Sequence, residues 1–296
     1  MIDWRQLGSR FFGHPVPLLV IGIAMTAAGG MAGGFLAQSL ARVYPDSNVV
    51  LLLRAIIYVS FLTLGYFLFV RYVERKPFSD FGLTGAGKEL STGIFTGFAA
   101  MSATIGVIAA FGGYTVIGTN TPQVLVPVLA MALTSGIGEE ILLRGLIFRF
   151  LEKWLGSWTA LALSALLFGF LHLSNPNASV LAAFAIALEA GILLAAIYMV
   201  TRRLWAAIGL HAMWNFTQGG IYGAQVSGFH SEGILVSQQH GSALLTGGAF
   251  GPEASIPAMI VCTAVGLWFL NRAYREGRFV RFSWHRFRTG ETASAA

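Results

Sequence analysis

The sequence predicts an all-α polytopic membrane bundle of about eight transmembrane helices. Three observations carry that expectation. Of the 296 residues, 55% are hydrophobic and only 11% are charged, whereas a soluble domain carries roughly 25% charged residues. Mean hydropathy is +0.69. The apolar residues fall in runs close to the ~20 residues that a helix needs to cross a hydrocarbon core. No polar stretch is long enough for a separate soluble domain, so residues 1–296 read as a single membrane domain.

The runs lie at about 17–40, 48–71, 89–112, 123–150, 157–173, 178–200, 204–220 and 255–271. Arg5 and Arg10 precede the first, but that run is about 24 residues long and others follow, so it reads as a retained span rather than a secretory signal. The fifth, seventh and eighth runs are short, and seven is the alternative count. Basic residues test the layout, because cytoplasmic loops carry the excess of Lys and Arg. With eight spans and both termini cytoplasmic, all of the 19 Lys and Arg except Arg42, Arg54 and Arg144 fall on the cytoplasmic side. The net charge of +6 is therefore spent on topology, and nucleic-acid binding is not expected.

The first span contains Ala28-Gly-Gly-Met-Ala-Gly-Gly34, small residues that let helices approach closely. Arg54, near the outer end of the second, reads as a snorkelling side chain. The stretch Glu74 to Leu83 is a cytoplasmic loop turning at Lys76-Pro77. Residues 221–254 form a long Gly- and Ser-rich segment on the other side, with His230 and His240 read as surface residues. Phe229, Leu235, Leu244 and Phe250 make it too apolar for a free linker, so it is expected to fold back over the membrane. The basic tail, about 275–296, alternates Arg with Phe279, Phe282, Trp284 and Phe287, a composition suited to anionic lipid. The single cysteine, Cys262, lies in an apolar run, so there is no disulfide framework.

Charge inside such spans is expensive and marks function when a partner can be named. The stretch Ser135-Gly-Ile-Gly-Glu-Glu-Ile-Leu-Leu-Arg-Gly145 places Glu139, Glu140 and Arg144 in the fourth span. The fifth ends Phe168-Gly-Phe-Leu-His172, and the seventh contains His211-Ala-Met-Trp-Asn215. Glu189, alone in the sixth, is either a structural hydrogen-bond acceptor or a site member. Residues four apart share a helix face. Spacing therefore pairs Glu140 with Arg144 as a structural clamp and leaves Glu139, about 100° around the helix, free as a base; the opposite assignment of the two is the alternative.

Two kinds of chemistry suit Glu139, His172 and His211. Glu139 and His172 can hold and deprotonate a water that attacks a carbonyl, with His211 and Asn215 donating to the oxyanion. Alternatively, Glu139, His172 and His211 can ligate Zn²⁺ and leave a water position open. No His-Glu-x-x-His sequence supports a standard zinc protease. Taken singly, each polar site is an ordinary structural feature of a membrane helix. Three on neighbouring spans point to one buried site. At ~1.5 Å per residue the three lie ~16, ~22 and ~10 Å from the cytoplasmic ends, for Glu139, His172 and His211, so helix tilt, or a fifth helix that starts below the surface, has to bring them level.

Together these residues resemble the CAAX protease and bacteriocin-processing family of intramembrane proteases, also called Abi or CPBP, which includes the Ras-converting endopeptidase. Its motif Glu-Glu-x-x-x-Arg matches Glu139, Glu140 and Arg144; Phe-x-x-x-His matches Phe168 and His172; His-x-x-x-Asn matches His211 and Asn215. The motif-bearing core is about 123–220. The loop ending Thr246-Gly-Gly-Ala-Phe-Gly-Pro-Glu253 resembles that of bacterial members, which implies a multi-pass protein of a bacterial plasma membrane. The resemblance implies hydrolysis of a peptide bond in a membrane-associated peptide or lipidated protein. It also implies that Glu139 and His172 activate water, that His211 and Asn215 form the oxyanion hole, and that Glu140, Arg144 and Phe168 support them. A non-catalytic immunity or scaffold protein of the same fold is the second reading. A proton-coupled transporter relaying through Glu139, Glu140 and Glu189 is the third, weakened by the lack of an internal repeat.

Overall fold

The computed structural model describes residues 14–43 and 47–284. Arg5, Arg10, Arg286, Phe287 and Arg288 lie outside the described residues. The helices are α1 (Pro15–Val43), α2 (Asn48–Val73), α3 (Ala86–Ala110), α4 (Pro122–Leu155), α5 (Ser157–Ser174), α6 (Val180–Thr201), α7 (Trp205–Asn215, continued as a wider turn over Phe216–Ile221) and α8 (Ile256–Arg275). Among the described residues, seven of these are long and apolar enough to cross a membrane. The exception is α7, which stands at its expected place but stays short and almost wholly buried. It is the central helix, packed between α3 and α4.

The packing follows from small residues. In a bilayer there is little hydrophobic drive between helices, so close van der Waals contact has to hold them. The Gly-rich stretch of α1 lies on α2: a Cβ on Gly29 would sit 2.3 Å from the Phe61 carbonyl oxygen. The opposite faces carry large apolar side chains pointing outward, among them Val20, Met31 and Phe35 on α1 and Ile260, Leu267 and Trp268 on α8. An apolar exterior around a core with buried charges is the inverse of a soluble protein and suits lipid as solvent.

The basic ends of the helices converge on one face. Arg149 holds Glu74 through two bonds of 2.6 and 3.0 Å, and Arg203 reaches Glu89 and the Gly82 carbonyl. Arg202 bonds Glu152 and the Arg278 carbonyl. Glu74, which lies beyond the end of α2, keeps its carboxyl below the ordinary range: burial would raise it, but Arg149 outweighs burial. The stretch after Glu74 is not a free loop, since Asp80 is buried and accepts a bond from Tyr66 at 2.6 Å. The start of the basic tail is also anchored, with Ser157 and Val280 exchanging backbone and side-chain bonds and Phe279 packed on Trp158.

On the other face, the segment after α7 folds back as expected, and it contains structure that the sequence reading does not include. β1 (Tyr114–Thr119) pairs antiparallel with β2 (Leu235–Gln239), Tyr114 opposite Gln239 and Thr119 opposite Leu235, with an irregularity between Val116 and Gly118. Both strands are short and partly exposed, and their partners are far apart in sequence, so no local pattern announces the pairing. Asn175 and Asn177, in the α5–α6 turn, donate to the Ser227 and Gly228 carbonyls. These bonds seat the segment on the ends of α5 and α6. His240 bonds Thr115 at 3.0 Å, so it serves the strand pair.

Candidate active site

The clamp expected between Glu140 and Arg144 forms, with Nη1 donating to Oε1 at 2.9 Å and both side chains fully buried. It does more than lock one helix. Glu140 Oε1 also lies 2.9 Å from His211 Nδ1 across on α7. The guanidinium extends to α6, donating from Nη2 to the Gly191 carbonyl at 3.2 Å. Arg144 also lies 4.8 Å from the centre of the Phe168 ring on α5. A buried charge needs this many partners to offset its lost hydration. Glu140 and Arg144 thus tie four helices together.

Three helices widen into π-turns beside this cluster. They cover Ile141–Phe148 after Glu140, Ala187–Gly191 around Glu189, and Phe216–Ile221 after Asn215. Such turns shift the helix face by a fraction of a turn and are frequent at functional sites. The Ala187–Gly191 turn is the one whose carbonyls receive Arg144.

Glu139 takes the position that spacing assigns to it, off the clamp. Its side chain is 36% exposed, and its Oε2 lies 3.8 Å from His211 Nε2. That oxygen is itself buried and has no hydrogen-bond partner in the protein. His211 therefore stands between two carboxylates, one at each ring nitrogen. Close approach of α4 and α7 makes this possible: a Cβ on Gly136 would lie 2.8 Å from the Ala212 Cβ, so only glycine fits there.

His172 comes by a different route. It caps α5, where its Nδ1 bonds the Phe168 carbonyl at 2.8 Å and so leaves Nε2 available. The Phe168 ring lies edge-on between the imidazoles, 5.0 Å from His172 and 5.9 Å from His211. Phe168 thus separates the two rings. Asn215, one turn beyond His211, donates to Ser135 Oγ at 2.9 Å. Ser135 was only the start of a motif-bearing stretch in the sequence; its position four residues before Glu139 was the signal available.

His172, His211, Asn215 and Phe168 line a cavity of about 30 Å³ in which water centres can lie, room for about two waters. Glu189, Ser227, Glu253 and Cys262 also line it. Glu253 closes it from the loop side, accepting from the Ser227 backbone N–H and the Gln218 amide. Ser227, which sequence patterns did not single out, and Glu253, noted there only as the end of the long loop, both reach this cavity.

The zinc alternative meets the geometry poorly. Among the described residues, no group of three or more His, Cys, Asp or Glu side chains is arranged to hold a metal ion. Glu139 and His211 are adjacent, but His172 stands apart beyond Phe168.

Residues 121–217 match the family model of the type II CAAX prenyl endopeptidases, described as Rce1-like. The match spans α4 to α7 and includes every motif residue named above. No curated protein and no solved structure matches the chain.

Proposed function

We propose that the Rce1-like segment at 121–217 makes this chain an intramembrane endopeptidase that cleaves membrane-associated peptides by glutamate-activated water. The observation that carries this reading is His211 held between Glu140 and Glu139 at the edge of a water-sized cavity.

The steps follow from the donors and acceptors available. Glu139 takes a proton from water while His172, through its free Nε2, orients that water. The water oxygen bonds the scissile carbonyl carbon, and negative charge develops on the carbonyl oxygen. His211 and the second N–H of Asn215 donate to it, each donor worth about 3–4 kcal/mol in soluble enzymes. For His211 to donate from Nε2 it must carry both ring protons, and the two flanking carboxylates are the partners for that form. Glu140 and Arg144 hold the His211 ring, and Ser135 holds Asn215. Substrates are peptides anchored in or on the bilayer, lipidated Cys-aliphatic-aliphatic-X termini among them. The basic face is the cytoplasmic one, in line with the positive-inside rule.

The test is cleavage of a synthetic decapeptide library, S-farnesylated members included, by the detergent-solubilised full chain. Products are expected from the wild type, and Glu139→Gln and His172→Ala are expected to slow their formation by about 10²–10⁴-fold. Cleavage at the wild-type rate by either variant would overturn the assignment. No cleavage by the wild type would favour the immunity or scaffold reading.

A further inference from the structure

We propose that Glu189 is a further catalytic residue, the acid that protonates the leaving amine; the proposal rests on the peptidase reading above. Three observations place it there. Glu189 is 1% exposed and lines the same cavity as His172, His211 and Asn215. Its Oε2 is buried without a hydrogen-bond partner, and Cys262 lines the same cavity. The π-turn that presents it, Ala187–Gly191, is braced by Arg144 at the Ala190 and Gly191 carbonyls. Its position is therefore coupled to the clamp that holds His211.

A second carboxyl explains why Glu189 would hold a proton. Glu253 lines the cavity as well, and no Lys or Arg does. Two carboxyls in one buried cavity do not both ionise readily. Glu253 accepts two N–H donors, from Ser227 and Gln218, which favour its charged form. The ring nitrogens of His211 face Glu140 and Glu139, and His172 Nδ1 faces the Phe168 carbonyl. Glu189, whose Oε2 has no such donor, is thus the better placed of the two to carry the proton.

The balance of the step is simple. Glu139 receives one proton of the water, and the hydroxyl joins the carbonyl carbon. As the tetrahedral intermediate collapses, the C–N bond breaks and the nitrogen takes the Glu189 proton, leaving as a neutral amine. Glu139 then releases its proton, Glu189 takes one up, and both groups are reset.

An amide needs this donor far more than an ester, whose alkoxide leaves more easily. The fastest-cut peptide of the library would be made in amide and ester forms and assayed with the full-length wild type, Glu189→Gln and Glu189→Asp. With Glu189→Gln, amide kcat is expected to fall about 10²-fold or more. The ester should lose much less, and KM should change little. Glu189→Asp keeps an acid but withdraws it, and should fall between, again with a selective amide loss; it serves if the glutamine variant does not fold. Equal losses on amide and ester, or none, would overturn the donor role while leaving the peptidase reading intact. Failure of the wild type to cut either form would overturn the peptidase reading itself, and this proposal with it.

Discussion

Glu140 and His211, separated by 71 residues, meet at 2.9 Å between Oε1 and Nδ1. Glu140 is thereby both the partner of Arg144 and the orienting group of an imidazole on another helix. The two acids of one dipeptide consequently differ in kind. Glu140 is fully buried and shared, whereas Glu139 is partly exposed and faces only His211 Nε2.

The two glutamates should therefore fail differently. Glu140→Gln leaves a buried guanidinium short of its counter-charge and is expected to cost about 3–5 kcal/mol of stability. Glu139→Gln should leave stability near wild type while lowering kcat by about 10²–10⁴-fold. Cys262 is the single cysteine and is fully buried, so a thiol-reactive dye reports unfolding of both variants directly. Similar melting curves for the two would contradict the division of labour.

Close contact between α4 and α7 sets the catalytic distance. Gly136→Val must push the helices apart at Ala212; a displacement of about 1 Å typically costs about 10²-fold in rate. Gly138→Ala, whose added Cβ would lie 3.7 Å from Leu62, should be close to neutral. Peptide-cleavage rates of the two variants check this.

Ser135 should act through Asn215. Asn215→Ala is expected to reduce kcat by about 10²–10³-fold with KM little changed, the effect of losing one oxyanion donor. Ser135→Ala should produce a smaller loss of the same kind, and the double variant should be no worse than Asn215→Ala alone. Additive losses would show that Ser135 has an independent role.

Glu253 gives the loop closure a pH signature. Burial pushes its carboxyl up from the ordinary 4.5 to about 7, with the Ser227 backbone N–H and the Gln218 amide opposing that rise. The folded chain then binds a proton that the unfolded chain has released. Stability from this group is fully present below about 4.5 and is lost as pH rises through about 7. Melting curves of the wild type between pH 5 and 8 should show that decline, and Glu253→Gln should flatten it.

Metal chelation offers a separate check on mechanism. With no three-ligand group among the described residues, hydrolysis is expected to continue at its starting rate in excess EDTA. Loss of activity that zinc restores would reinstate a metal-bound water.

Much of this was legible in the sequence because membrane burial imposes simple local rules. A helix must satisfy its own backbone in lipid, so apolar runs of about 20 residues mark the spans directly. Four-residue spacing placed Glu140 with Arg144 and set Glu139 apart, since helix geometry is local and fixed. What the sequence could not determine were contacts between helices. That Glu140 also holds His211, that Ser135 holds Asn215, and that Glu189 and Glu253 share a cavity with His172 depend on how α4 to α8 pack. The same is true of β1 and β2, whose partners lie more than a hundred residues apart. Periodicity specifies which face a residue occupies; only the packed helices decide what that face meets, because those distances are set by small residues and π-turns on different segments.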